Sequence, residues 1–462
     1  MTSRRNWIGA RGKSIPDPSH PRWSSFPAIV RDRGAPFARV GEDTVGWGQF
    51  VAEARALADR LPQRPHVINL CEDRYLFCLA LAASLLRGVP TLLPPDRGAR
   101  HLKALERDYP NALVLSDRSE VSRPDAITVA RPPARPAAGA DSLEIPLGQE
   151  ALIAFTSGST GAPRAYPKTW GSLRESARLI DERLGGTRGK IMIATVPPQH
   201  MYGLELSILL PLCRGALLHS GKPFFPADIA DTMARVPEPR VLVTTPIHLR
   251  ALVQSELPLP PVAMLVSATA PLEPSQARVC ESRLHAPLHE IYGCTEAGSI
   301  AGRRPALDQS WTLYESVVLR STGSTFRIEA PHLREPVELH DALEPLDDRR
   351  FELIGRTADL INIAGKRASL AALDGVLLSL EGVRDGAFFL PDDGEGATAR
   401  LMAFVVAPAL TRADILRHLR AELDPAFLPR AVHFVDKLPR NDRAKLPRQA
   451  LEDLLERRQT SP

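Results

Sequence analysis

From residue 66 to residue 291, short apolar runs alternate with longer amphipathic segments, and that alternation restricts the chain to very few folds. The runs 66–71, 89–93, 112–115, 151–155, 191–196, 240–244, 263–266 and 288–291 are apolar almost throughout. Strands buried on both faces have this texture. Between them the pattern predicts helices over 73–87, around 101–107, and over 170–183, 204–213, 247–254 and 274–284. The first of these opens on Asp73 and is stopped by Gly88. Strands alternating with helices imply an α/β architecture of parallel sheets covered by helices on both faces. Ligands in such folds bind at the carboxyl ends of the strands.

After Gly298 the texture becomes β-rich, with short runs at 316–319, 325–328 and 351–354. From about residue 361 it changes again, mixing short helices and strands at 369–380, 387–390, 401–406 and 412–422. A chain of 462 residues exceeds one ordinary core. The expectation is a large domain over 1–357 that includes the β-rich part, and a small α+β domain over 358–462. The Pro/Ala/Arg stretch 131–140 reads as a linker inside the first.

Composition excludes several function classes. The net charge is only +4, and no basic stripe with interleaved aromatics points to nucleic acid. No apolar run reaches the length of a membrane span, and residues 1–23 lack the apolar stretch of a secretory signal. A cytoplasmic location is expected. The five cysteines (Cys71, Cys78, Cys213, Cys280 and Cys294) form no C-x-x-C pair, which argues against a disulfide framework or a zinc site. His289-Glu290 is not followed by the second histidine of a zinc protease. Neither a Walker lysine motif nor a kinase catalytic loop is present.

One loop looks built for phosphate. Thr156-Ser157-Gly158-Ser159-Thr160-Gly161-Ala162-Pro163-Arg164 follows an apolar strand and combines two glycines with four hydroxyl residues. Glycine lets backbone N–H groups approach a phosphate, and hydroxyls add donors. A Ser/Gly run is also common in plain linkers, but linkers do not usually sit between a buried strand and a helix. The run resembles the phosphate-binding loop of the adenylate-forming superfamily, which includes acyl- and aryl-CoA synthetases, peptide-synthetase adenylation domains and luciferases. The family loop usually ends in Pro-Lys. Here it ends in Pro163-Arg164, with Lys168 four residues on.

Further matches follow in the family's order. Ser267-Ala268-Thr269-Ala270-Pro271 resembles the segment bordering adenine, with Thr269, Ala270 and Pro271 as contacts. Tyr292-Gly293-Cys294-Thr295-Glu296 resembles the adenine-and-magnesium segment. The resemblance implies that Tyr292 stacks on adenine beside Gly293, Thr295 donates to the α-phosphate, and Glu296 holds Mg²⁺. Asp341 and, fifteen residues on, Arg356 match the ribose-binding pair. His200, in Pro197-Pro198-Gln199-His200-Met201-Tyr202-Gly203, matches a position beside the acyl group. Residues 361–367 resemble the family loop that swings in for thioester formation, which implies that Gly365 lets a pantetheine thiol pass, and the family's interdomain hinge aligns with Ala358. Lys445 matches the catalytic lysine of the C-terminal loop, although Ala444 stands where the family has glycine.

The resemblance implies ATP and Mg²⁺ as cofactors and a two-step reaction. A carboxylic acid is converted to an acyl-adenylate, then transferred to a thiol. A narrower similarity, to stand-alone aryl acid ligases of aryl polyene and xanthomonadin pigment clusters, implies a hydroxybenzoate-like acid and an acyl carrier protein as acceptor. Free CoA is the alternative acceptor. Arg164, Ala358 and Ala444 depart from the family pattern, so a catalytically decayed binding protein on the same fold stands as the different-class alternative.

Overall fold

Side chains along the buried strands go alternately to two different cores, as the two-residue period of a strand requires. Ile191, Ile193, Leu242, Leu265 and Leu288 enter one apolar cluster, while Met192, Ala194, Val241, Val243, Met264 and Val266 enter another. The computed structural model describes residues 29–94, 99–118, 126–131, 142–156, 164–323, 325–356, 360–363, 366–391, 401–440 and 446–459.

Two sheets dominate. The larger has eleven strands, and its centre is parallel from Leu288–Cys294 through Met264–Ser267, Arg240–Thr244, Ile191–Ala194 and Leu217–His219 to Pro36–Val40. The smaller has six, with Glu150–Thr156, Thr91–Leu93, Val67–Asn69 and Leu113–Ser116 in parallel. Both sheets feed one shared core. Val67, Leu93, Leu113, Leu115 and Leu152 of the small sheet join Met192, Val243 and Met264 of the large one there. Helices Trp47–Arg60, Arg74–Leu86 and Trp170–Arg183 contribute to the same core. Helices Pro226–Arg235, Pro246–Gln254 and Pro274–Leu284 cover the far face of the large sheet, and Ala99–Asp108 covers that of the small one. Each buried aliphatic side chain contributes roughly 1.5–3 kcal/mol. A layered core of this size fixes the register on which the strand ends depend.

The expected alternation is therefore present, with three corrections. The sheets are mixed rather than parallel. Gly298–Arg303, Trp311–Leu313, Arg350–Arg356 and Asp341–Pro345 extend the large sheet antiparallel, and Arg164–Thr169 pairs antiparallel with Glu150–Thr156. The helix expected over 204–213 is three pieces: α-helical Met201–Leu204, π-helical Glu205–Leu209 and α-helical Leu210–Arg214. Pro211 lacks the N–H that a continuous ladder needs. Strand Arg164–Thr169 and helices Trp47–Arg60 and Pro226–Arg235 were not anticipated.

The C-terminal part forms its own three-stranded sheet from Asp385–Phe389, Met402–Val406 and Ala431–Phe434. Helices Leu370–Ser379 and Arg412–Glu422 pack on one face through Leu373, Leu377, Ile415 and Leu419. Helix Arg448–Gln459 covers the other through Leu451. Of the expected linker 131–140 only Arg131 is described, and the hinge position Ala358 lies outside the described residues. No helix among the described residues is long and apolar enough to cross a membrane.

Candidate active site

The register of the parallel strands places their carboxyl ends side by side, with Thr244 opposite Ser267 and Ser267 opposite Glu290. The chain leaving Ser267 turns sharply. Thr269 takes a φ of 83°, a left-handed conformation that its branched side chain resists. Such strain persists only where surrounding structure enforces it, and it clusters at functional sites. Thr269, Ala270 and Pro271 are exposed at this edge. Behind them the Leu272 N–H donates to Glu290 Oε1 at 2.8 Å. Glu290 is buried, which pushes its pKa up to about 7, while Arg303 pairs with Oε2 at 2.7 Å.

The neighbouring strand Leu288–Cys294 carries Tyr292, a residue 9% exposed whose ring lies near Trp311 and Phe351, at centroid separations of 5.5 and 5.7 Å. Its hydroxyl donates to Asp341 Oδ2 at 2.6 Å. Asp341 in turn lies opposite Arg356 in the antiparallel ladder. Three residues singled out from separate parts of the sequence thus meet at one sheet edge. The side chain of Arg356 lies outside the described atoms.

Beyond Tyr292 the chain reverses through Cys294 to Gly298 and returns as Gly298–Arg303. Gly293 sits where the two strands almost touch, since a Cβ there would stand 2.2 Å from the Gly298 carbonyl oxygen. Thr295 and Glu296 are half-buried on this reversal. Their hydroxyl and carboxylate oxygens are the hard donors that a phosphate-bound Mg²⁺ prefers. The Ala297 N–H donates to Cys294 Sγ at 3.4 Å. The Glu296 carbonyl accepts from Lys168 Nζ, and the Ala297 carbonyl from His332 Nε2 at 3.0 Å. Among the described residues, no group of three or more His, Cys, Asp or Glu side chains is arranged to hold a metal.

His200 occupies the N-cap position of Met201–Leu204 and is half-buried. Its segment is held from several sides. Gln199 Nε2 donates to the Cys71 carbonyl at 2.9 Å. Tyr202 reaches the carbonyls of Thr244 and Val266 at 3.0 and 2.8 Å. Fully buried Arg74 donates to the Ala194 and Val196 carbonyls and to Ser207 Oγ. Gly203 again marks a close approach, its absent Cβ lying 2.0 Å from the Pro197 carbonyl oxygen.

Of the phosphate loop, Thr156 ends its strand, with Arg164 directly opposite in the ladder and exposed. Ser157, Gly158, Ser159, Thr160 and Gly161 lie outside the described residues, as do Gly365 and Lys445. Sequence reasoning did not foresee the buried bonding of Lys168, Glu205, Arg74 and His332, which hold the segments bearing His200, Thr295 and Glu296. A signal existed for Glu205, an acid inside the apolar stretch Leu204–Cys213, and for Lys168, one of only eight lysines in the chain.

Comparison with known proteins gives the family and the fold. The family model described as AMP-binding enzyme matches residues 44–340, and the model for the AMP-binding enzyme C-terminal domain matches 372–445. The chain is 32% identical over 309 residues to a 4-coumarate–CoA ligase of Halorhodospira halophila, covering 64% of this chain and 74% of that protein. It is 23% identical over 316 residues to a 3,4-dihydroxybenzoate–[aryl-carrier protein] ligase of Bacillus anthracis, covering 66% and 74%. Its fold resembles that of O-succinylbenzoate coenzyme A synthetase from Bacillus subtilis in complex with AMP. There the TM-score is 0.77 at 18% identity, over 92% of this chain and 96% of that one. With both family models matched in order along one chain, and the strand-end residues gathered at one edge, the protein belongs to the AMP-binding enzyme family of adenylate-forming acid–thiol ligases.

Proposed function

We propose that the protein activates a small aromatic, hydroxybenzoate-like carboxylic acid as its acyl-adenylate and passes the acyl group to the phosphopantetheine thiol of an acyl carrier protein. The observation that carries the reading is the Tyr292–Asp341 hydrogen bond at the edge formed by Thr269–Pro271 and the Thr295–Glu296 reversal. The aromatic acid is supported by similarity to ligases for 4-coumarate and 3,4-dihydroxybenzoate, both phenolic acids. The carrier acceptor is supported by the second of these, while the first favours free CoA as the alternative. In this reading the enzyme works in the cytoplasm. Residues 1–357 bind ATP and acid, and 358–462 carry the catalytic lysine.

Asp341 would accept hydrogen bonds from the ribose hydroxyls, oriented by Tyr292 and flanked by Arg356. Thr269 to Pro271, Tyr292 and Gly293 would border the adenine. Thr156 to Gly161 would wrap the β- and γ-phosphates, with Arg164 offering its guanidinium fork in place of a lysine. Thr295 would donate to the α-phosphate and Glu296 would hold Mg²⁺. When bound, that ion supplies positive charge to the phosphates. A carboxylate oxygen of the acid, beside His200, attacks the α-phosphorus, and the bond to pyrophosphate breaks. Lys445 would bridge the two anionic groups as charge builds between them. The small domain then turns about Ala358, and Gly365 lines the path of the thiol that displaces AMP from the acyl carbon.

Acid-dependent ATP–pyrophosphate exchange tests the proposal. The panel would include benzoate, 3- and 4-hydroxybenzoate, 4-coumarate, hexanoate and octanoate, with CoA and acyl carrier proteins then offered as acceptors. Fastest exchange with a hydroxybenzoate is expected. Preference for the fatty acids would remove the aromatic reading, and no exchange with any acid would favour a binding protein without catalysis.

A single-atom change tests the nucleotide half. Tyr292→Phe removes one hydrogen bond to a half-buried carboxylate, worth about 1.4 kcal/mol. The KM for ATP should rise about tenfold, with the KM for the acid unchanged. An unchanged KM for ATP would detach Asp341 from the nucleotide site.

A further inference from the structure

The backbone of the reversal that bears Thr295 and Glu296 is held from behind by buried side chains with no role in the chemistry above. Lys168 lies on Arg164–Thr169, the strand that leads away from the phosphate loop, and is only 8% exposed. Its ammonium donates to the Glu296 carbonyl, 128 residues away in sequence. His332, also buried, donates from Nε2 to the next carbonyl, that of Ala297. Two residues further, Ser299 donates to Glu205 through its N–H at 3.2 Å and its hydroxyl at 2.5 Å. Ser176 adds a third donor to the same carboxylate at 2.6 Å.

The plain alternative is that Lys168 merely neutralises buried Glu205. Its bonding says otherwise. Glu205 is already satisfied by Ser176 and Ser299, and among the described residues Lys168 forms no ion pair within 4.0 Å. Glu205 contributes only longer-range attraction to the ammonium. Burying an ammonium is costly, and this one is directed at a backbone carbonyl at the reversal.

We propose that Lys168 is a positioning residue. By binding the Glu296 carbonyl, with His332 on the Ala297 carbonyl, it sets the reversal that presents Thr295 and Glu296 and ties it to the strand leaving the phosphate loop. Phosphates and cation then meet a preorganised pair, which is where electrostatic stabilisation is most effective. The inference rests on Glu296 as the magnesium ligand.

The test measures Mn²⁺ affinity by the electron paramagnetic resonance of the free ion, in the presence of α,β-methylene-ATP. The wild-type chain is compared with Glu296→Gln, Lys168→Met, and Lys168→Met combined with Glu205→Gln. The double variant removes both buried charges and so guards against misfolding of the single one. The expected result is about tenfold weaker Mn²⁺ binding in the folded Lys168 variants. The Mg²⁺ concentration for half-maximal exchange should rise by a similar factor. The KM for the acid and thioester formation from a supplied acyl-adenylate should stay within about twofold. Mn²⁺ affinity unchanged in the Lys168 variants but weakened in Glu296→Gln overturns the inference and leaves Glu296 its metal. Affinity unchanged in Glu296→Gln as well overturns the metal assignment and the inference with it.

Discussion

Lys445→Ala is expected to slow acid-dependent ATP–pyrophosphate exchange about a thousandfold, while thioester formation from a supplied acyl-adenylate keeps most of its rate. The first step brings an anionic carboxylate onto an anionic phosphate, and one positive charge between them stabilises the transition state by about 4 kcal/mol. The second step displaces AMP by a thiol and does not use that charge. Lys445 lies outside the described residues, so its role comes from the motif. Arg440, five residues earlier, makes a two-pronged ion pair with Asp385, with Nε and Nη2 each at 2.8 Å. That fork fixes Arg440 to the strand Asp385–Phe389. Equal loss of both half-reactions in Lys445→Ala would contradict the assignment.

What the sequence made legible follows from how local each signal is. Ile191–Ala194, Arg240–Thr244 and Met264–Ser267 are buried on both faces, so their own residues announce them. The motif residues at their ends were legible because each motif is contiguous, and strand register did the rest. The antiparallel strand Arg164–Thr169 was hidden because Arg164, Ala165 and Pro167 are exposed and the run has no apolar signature. The break in the helix over 204–213 was hidden for another reason. Its π-helical part contains Glu205, whose partners Ser176 and Ser299 lie far away in the chain. No local pattern encodes such a pairing. Tyr292 and Asp341 were each readable from a motif, but their contact is 49 residues long-range and needs the fold. Lys168 illustrates the limit most clearly. It stands four residues after Arg164, and nothing in that spacing tells that it is buried while Arg164 is exposed.

Gly293→Ala should be nearly as damaging as loss of Lys445, for a steric reason. The new Cβ would lie 2.2 Å from the Gly298 carbonyl oxygen and 2.8 Å from Ser299 Cα, far inside van der Waals contact. Both obstacles are backbone, so no rotamer change relieves them. Relief requires parting Gly293 from Ser299 and Cys294 from Gly298, the last pairings before the reversal, where the ladder is already irregular. Overpacking of this kind costs about 3 kcal/mol. Parting those pairings also shifts Thr295 and Glu296, and a displacement near 1 Å slows a positioned reaction about a hundredfold. The variant should therefore melt at least about 5 °C lower and lose about a hundredfold in exchange. Gly185→Ala is the control. Gly185 has a φ of 70°, and a Cβ there would meet nothing within 4 Å. Alanine at that position carries only the left-handed penalty of roughly 1 kcal/mol, so exchange should persist. Similar exchange in the two variants would show that the close approach at Gly293 is not what holds the Thr295–Glu296 reversal in place.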